Sequence, residues 1–474
     1  MTRTQYDMTI IGGGSGGLTA ARLAASLGAN VLLIDKEHLG GDCLNYGCVP
    51  SKSLIHVAKV VHQAQNAAKI GLKPANLVID MTKITNYIQG VIGRVAESEK
   101  IYTEGITVKF GEVSFNSATE LTLNGETFTS RTTLIATGSK PLVPSIEGLE
   151  ETGYLTNEDV FNLMLLPSSL LIVGAGPIGV ELGQAFRRLG TDVTIIEALD
   201  RILPKEDPEV SATLTEVLLS ESMNIVTNAS FVNARRDGNK KVVTAKQGER
   251  LLAFEADEIL LTLGRRPNVE GLNLEAAGVT YDNKGIKVDE HLQTSAPNIL
   301  AIGDAIGGYL FTHVAAYQAG VAVRNALVPF GKKQVDYRVV PWCTFTNPEV
   351  ARVGLTPDEA EKYHKRIRVV TLPVAAIDRA QTEIETAGFI KLVLAGKKEE
   401  IVGAHMVGTH AGELLGEMAL AMQHHLRIND ILDTIHAYPT MSTGIQQTAF
   451  EAYLHGPGVS SNRKIVQTFL RLRK

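Results

Sequence analysis

Cysteine is scarce in this chain, with three among 474 residues. So few thiols exclude the disulfide-stapled scaffolds on which small secreted domains depend. A basic surplus is missing too. Lys and Arg number 46 against 51 Asp and Glu, a net charge of −5, which argues against nucleic acid as the main partner. No apolar run reaches the roughly 18 residues that span a bilayer, so no transmembrane segment is expected. The stretch Met1–Asp7 lacks the apolar core of a secretory signal. The expected compartment is the cytoplasm, where a disulfide is usually transient and catalytic. What is present is an ordinary soluble composition, 44% apolar and 20% charged. The length points to roughly two to four domains.

Two of the three cysteines, Cys43 and Cys48, stand five apart in Gly40-Gly41-Asp42-Cys43-Leu44-Asn45-Tyr46-Gly47-Cys48-Val49-Pro50-Ser51-Lys52. A thiol pair can hold two electrons as a disulfide and pass them on by thiolate attack. The bland alternatives are a stabilising disulfide or two buried free thiols. The apolar turn feeds an expected helix from Pro50 to Ala58. A helix N-terminus favours negative charge nearby and would help ionise a thiol whose ordinary pKa is near 8.5.

Upstream lies a strand–turn–helix–strand unit. Met8 to Ile11 is a short apolar strand. Gly12-Gly13-Gly14-Ser15-Gly16-Gly17 opens a helical pattern to Leu27, and the strand Val31 to Ile34 ends in Asp35, 23 positions after Gly12. In this pattern Gly12 allows the tight turn, Gly14 lets a pyrophosphate approach the backbone, and Gly17 lets helix and strand pack closely. Phosphates sit at the helix N-terminus, and Asp35 can accept from a ribose hydroxyl. A glycine-rich turn alone is weak evidence, but the ordered unit is strong.

The unit recurs. Leu170 to Val173 precedes Gly174-Ala175-Gly176-Pro177-Ile178-Gly179, a helix to Leu189, and Val193 to Ile196 ending in Glu197, again 23 positions after the first glycine. Two units imply two bound dinucleotides. Three more apolar strands end in small or polar residues: Thr132 to Thr137-Gly138, Ile259 to Gly264-Arg265, and Asn298 to Gly303-Asp304. Past about Val340 the pattern changes to alternating strands (Phe389 to Leu394, Ile401 to Val407) and apolar-faced helices (Gly412 to His424) without a nucleotide fingerprint.

Together these segments resemble the pyridine nucleotide–disulfide oxidoreductases, the family of dihydrolipoamide dehydrogenase, glutathione reductase and mercuric reductase. The resemblance spans essentially the whole chain, and the cysteine segment is its most specific part. It implies an α/β fold with two Rossmann-like nucleotide-binding domains and a C-terminal α+β dimerisation domain. The expected boundaries are 1–150 with 278–340 for FAD, 151–277 for the nicotinamide nucleotide and 341–474 for dimerisation. It implies a homodimer, because the family completes its active site across two subunits.

The resemblance also implies site residues. FAD would be held by Gly12, Gly14, Ser15, Gly16, Gly17, Asp35, Lys36, Gly41, Asp42, Lys52, Thr137, Gly138, Asp304, Ala305 and His313. NAD would be held by Gly174, Gly176, Ile178, Gly179, Glu197, Gly264 and Arg265. Cys48 would lie against the flavin, and Cys43 would face the acceptor. Lys52, paired with Glu181, would lie near the flavin. Glu197 bonds ribose hydroxyls and repels a 2′-phosphate. It is followed by Ala198 where NADPH users tend to carry arginine, so NADH is expected over NADPH, with Arg201 nearby as a weakening influence. A packed role at a helix start is the rival reading for His313. Trp342 reads as core.

One segment departs from the family. Members that reduce ordinary disulfides carry His-Pro-Thr-x-x-Glu near the C-terminus, where the His serves the partner's interchange thiol. Here the residues are His436-Ala437-Tyr438-Pro439-Thr440-Met441-Ser442-Thr443. Tyr438 replaces the His and Thr443 the Glu. A phenol, with a pKa near 10 against about 6.5 for imidazole, is a poor proton shuttle at neutral pH. A structural or interface role is expected of His436. Tyrosine at this place is similar to mercuric reductases and soluble transhydrogenases, although the C-terminal vicinal cysteines of the former are absent.

The expected function is therefore an FAD-dependent oxidoreductase passing electrons from NADH through Cys43–Cys48 to a disulfide or thiol-type acceptor. A mercuric-type metal-ion reductase is the alternative, and a flavin-bound redox sensor is the rival of another class. The tail from Lys464 to Lys474 is basic and amphipathic. A docked C-terminal helix is expected there in preference to a membrane-surface helix.

Overall fold

In the computed structural model, which describes residues 5–74, 77–100 and 103–473, the strand Gln5–Ile11 forms the centre of the first sheet. It pairs in parallel with Val31–Asp35 and with Glu126–Ile135. Thr107–Phe110 extends one side, and Ile299–Ala301 pairs in parallel with Glu126–Ile135 on the other. That last pairing brings Ile299 beside Thr133, so a single sheet is assembled from two stretches with the second nucleotide unit between them. Met8, Ile10, Leu32 and Leu33 are fully buried. Strands covered on both faces need continuous apolar runs, and Val-Leu-Leu-Ile supplies one.

A second parallel sheet runs Asn224–Val226, Asp192–Ile196, Ser169–Val173, Glu258–Leu261. An antiparallel trio, Ala229–Asp237, Lys240–Gln247 and Arg250–Ala256, accompanies it. The C-terminal part is a five-stranded antiparallel sheet from Pro341–Thr344 to Glu400–Gly408. The helices Ala411–Gln423 and Thr443–Leu454 bury Leu415, Met418 and Ile445 in its core. Lys391 ties this sheet to the second nucleotide unit. Its buried ammonium lies 2.9 Å from Asp207 Oδ2 and 2.6 Å from Glu209 Oε2.

Three expectations from the sequence are corrected. The helix after the cysteines is Cys48–Gln65, beginning before Pro50, because a proline in the first turn removes an N–H that has no helical partner anyway. Trp342 is only half-buried. It lies at a junction, with Nε1 donating to Glu206 Oε1 at 2.6 Å and the Arg352 guanidinium 4.8 Å over its ring. The tail does form a helix, Pro457–Leu472, but Ile465, Val466, Phe469, Leu470 and Leu472 on it are exposed and not docked within the chain. Residues 1–4 and Lys474, the last residue of the basic tail, lie outside the described residues. Among the described residues no helix is long and apolar enough to cross a membrane.

Candidate active site

The two glycine turns are built alike. Gly12 and Gly174 both have φ of +106°, a left-handed backbone that side chains rarely adopt. A Cβ on Gly17 would lie 1.8 Å from Gly12 O, and one on Gly179 would lie 2.1 Å from Gly174 O. Helix and strand therefore meet at a distance only glycine permits. Gly16 packs toward Ile302, and Ile178 lies half-buried against the core.

Each acid at the end of the second strand holds its own turn. Asp35 Oδ2 accepts from Gly13 N at 2.6 Å, and Glu197 Oε2 accepts from Ala175 N at 2.7 Å. The other Glu197 oxygen accepts from Leu199 N at 2.9 Å. The following helices, Ser15–Ser26 and Pro177–Leu189, have no side-chain cap at Gly14 or Gly176. Their first N–H groups are left to an anion, which the helix dipole favours. Space around Gly176, Gly138 and Gly264 is open. These features fit one dinucleotide at each turn.

The cysteine segment folds against the first turn. Gly41, with φ of +58°, would place a Cβ 2.8 Å from Gly14 Cα, so the two backbones touch. Cys43 lies in the short helix Gly41–Asn45, and Cys48 is the first residue of Cys48–Gln65 behind the uncapped Gly47. Cys48 is exposed and Cys43 half-buried, both as free thiols. Hydrogen bonding from Cys43, together with Lys52 and Thr312, lowers the Cys48 thiol from 9.0 to about 6, against the opposing effect of burial. The same bond and burial push Cys43 strongly upward. Of the two coupled thiols, Cys48 is thus the one favoured as thiolate.

Thr312 opens the helix Thr312–Leu327 and places its Oγ1 3.8 Å from Cys48 Sγ. The third influence on Cys48 is an ion pair, with Lys52 Nζ 2.8 Å from Glu181 Oε2. Asp304 is held by Ser139, whose Oγ donates at 2.5 Å, and burial raises its carboxyl. Asp42 Oδ1 accepts from Asn157 Nδ2 at 3.2 Å. Thr137 Oγ1 donates to Asn268 O at 2.6 Å. Ser15 Oγ donates to Thr312 O at 3.3 Å, and Ala305 is fully buried.

Some expected residues stand elsewhere. Arg265, expected toward the nicotinamide, turns its guanidinium to Ser139 O at 2.8 Å and Asp42 Oδ1 at 2.9 Å. The strand pairing Arg265–Pro267 with Ser139–Pro141 aims it at the first nucleotide unit. Lys36 makes a surface pair with Glu112 at 2.9 Å. His313 stacks on Phe311 with centroids 5.3 Å apart, and burial lowers its imidazole. Thr312, Ser139 and Asn157 were missed in the sequence. The first two directly adjoin flagged residues, His313 and Gly138, which is the only local signal they carry.

Tyr438 is 73% exposed, and its hydroxyl donates to Asp378 Oδ2 at 3.1 Å. That bond raises the phenol further above its ordinary 10.0. Both nitrogens of His436 are engaged, Nε2 with Glu417 Oε1 at 2.9 Å and Nδ1 with Thr434 O at 3.0 Å. Thr443 Oγ1 donates to Thr440 O at 2.6 Å.

Residues 6–320 match the pyridine nucleotide-disulphide oxidoreductase model, and residues 340–449 match the dimerisation domain of the same family. The chain belongs to the pyridine nucleotide–disulphide oxidoreductases. A mercuric reductase of Staphylococcus aureus is 36% identical over 94% of this chain and 82% of its own length. A dihydrolipoyl dehydrogenase of Thermus scotoductus is 37% identical over 94% of this chain and 96% of its own. Among solved structures, the HOCl-induced flavoprotein disulfide reductase RclA of Escherichia coli superposes with a TM-score of 0.85 at 30% identity, covering 94% of this chain and 99% of that one. RclA has also been solved as its Cu(II) complex. As a member of this family, the protein is an FAD-dependent oxidoreductase that works with a nicotinamide nucleotide and carries the family's dimerisation domain.

Proposed function

We propose that this oxidoreductase carries electrons from NADH through Cys48 and Cys43 to a thiol-reactive acceptor, and that a soft metal ion suits the site better than a lipoamide-type disulfide. Bound FAD would supply two-electron chemistry between the nicotinamide and the Cys43–Cys48 pair. The residues of the first turn and of the cysteine segment would hold it, and those of the second turn would hold NADH. Glu197, with Ala198 beside it, supports NADH, because a buried carboxylate repels a 2′-phosphate.

Cys48 keeps the thiolate beside the uncapped helix start and Lys52. Cys43 keeps the proton and, by likeness to the family, is the thiol that meets the acceptor, although it is the less exposed of the two in a single chain. Attack on a disulfide needs that proton removed and later returned to the leaving sulfur, which is the work of a base near neutral pH. The observation that carries the choice of acceptor is Tyr438, exposed and raised above 10.0 by Asp378, with both His436 nitrogens committed elsewhere. Electron transfer to a metal ion held by soft thiolates gives no proton to the acceptor. Similarity to mercuric reductases and to a protein solved with Cu(II) supports the same reading.

Disulfide reduction is the second reading, supported by the dihydrolipoyl dehydrogenase similarity. Assembly as a homodimer, bringing Tyr438 of one copy toward Cys43 of the other, is part of the proposal. The test is steady-state NADH oxidation with Hg(II), Cu(II), lipoamide and glutathione disulfide as acceptors. Metal-dependent turnover that Cys43→Ala abolishes is expected. Efficient lipoamide turnover with no response to either metal would sink the metal reading and leave the disulfide one.

A further inference from the structure

The helix Pro457–Leu472 begins beyond Ala449, where the match to the dimerisation domain ends. RclA is covered almost completely, at 99%, by only 94% of this chain, so this chain carries extra residues. The helix lies outside the stretch that matches the family's dimerisation domain.

Its surface is two-sided. Ile465, Phe469 and Leu472 follow one another at helical spacing, with Val466 and Leu470 beside them. They are 67%, 53%, 82%, 51% and 55% exposed, respectively. Large apolar side chains left in water on one short helix mark a binding face. Gln467 and Arg471 occupy the opposite side, and Arg463 flanks the stripe two turns before Leu470; all three are exposed. The Arg473 guanidinium lies 4.6 Å over the Phe469 ring, at the border between the two. The last acid in the chain is Glu451, and five Lys or Arg follow it, in a protein whose net charge is −5.

We infer that this helix docks the enzyme on an anionic lipid surface. A helix with an apolar stripe, with cations beside and behind it and no acid, lies in the membrane interface. There its stripe enters the boundary of headgroup and acyl chain, and its cations meet anionic headgroups. A second copy of this chain is a poorer occupant. The same helix from a second copy could cover the stripe but brings no acid to meet the cations, since the last acid in the chain is Glu451. The enzyme is then a peripheral membrane reductase, receiving soluble NADH and acting at the bilayer surface.

The holoenzyme is tested by flotation with vesicles of phosphatidylcholine alone and of equal phosphatidylcholine and phosphatidylglycerol. Flotation with the anionic vesicles only, released by high salt, is expected. Arg471→Gln is expected to lower partitioning about fivefold. The double variant Ile465→Asp/Phe469→Asp is expected to abolish it, with NADH oxidation in solution and dimer mass unchanged. Three results overturn the inference: no flotation with either vesicle, flotation unaffected by the double variant, or a double variant that falls to monomers, which gives the face to a second copy. None of these readings depends on which acceptor the enzyme reduces.

Discussion

Glu181 holds Lys52 with one carboxylate oxygen, at 2.8 Å, and the backbone N–H of Phe345 with the other, also at 2.8 Å. Phe345 returns to the same cation, its ring centroid 4.4 Å from Lys52 Nζ. A helix of the first nucleotide unit, a helix of the second and the entry to the C-terminal sheet are thereby locked at one point. That point sits beside the low-pKa cysteine.

Replacing Lys52 by Met removes a cation that lowers Cys48. The thiolate should then appear at a higher pH than the present value of about 6. The folded value lies below the ordinary 9.0, so ionisation stabilises the fold above pH 9, and this contribution is lost as pH falls through about 6. Thiolate absorbance against pH, with denaturant midpoints at both ends of that window, checks the shift. Cys43→Ala should move Cys48 the same way, because it deletes the largest lowering influence.

Gly17→Ala and Gly179→Ala should separate the two nucleotide sites. Each new methyl meets a carbonyl oxygen, at 1.8 and 2.1 Å respectively. Such overpacking costs about 1–3 kcal/mol locally. Gly17→Ala should elute from gel filtration without flavin. Gly179→Ala should keep its flavin yet lose reduction by NADH in stopped flow.

Glu197→Gln/Ala198→Arg should turn nucleotide preference toward NADPH. An amide cannot accept at both of its ends, so one of the bonds to Ala175 N and Leu199 N is lost. That costs about 1–3 kcal/mol. The kcat/KM for NADH should fall while that for NADPH rises. An unchanged ratio would show that the strand-end acid holds the turn without reading the ribose.

Tyr438→His/Thr443→Glu should confer lipoamide reduction, by about a hundredfold over the parent, within the range a positioned base supplies. The pH profile should gain a limb near neutrality. No gain would show that proton transfer is not what keeps disulfides from this site.

The nucleotide turns were legible in the sequence because their constraints are local. The glycine spacing, strand and closing acid all lie within one strand–helix–strand unit, and each requirement is steric. The cysteine segment was legible for the same reason. The long-range partners were not. Thr312 meets Cys48 across 264 positions, and no periodicity marks a threonine that joins a helix start to a distant thiol. Arg265 is expected toward the nicotinamide because its strand belongs by position to the second unit. Pairing with Ser139–Pro141 turns its side chain toward the first.

By itself, the sequence determined that two dinucleotide turns and a close thiol pair share this chain, since backbone sterics permit little else at those glycines. It determined also that the usual base is absent at position 438. Only the tertiary structure decided which thiol holds the charge. That depends on the contact with Cys43, on a cation of the same helix and on a hydroxyl brought from 264 positions away. It decided too that the basic tail leaves its apolar side in water, because burial is a property of neighbours and not of the helix.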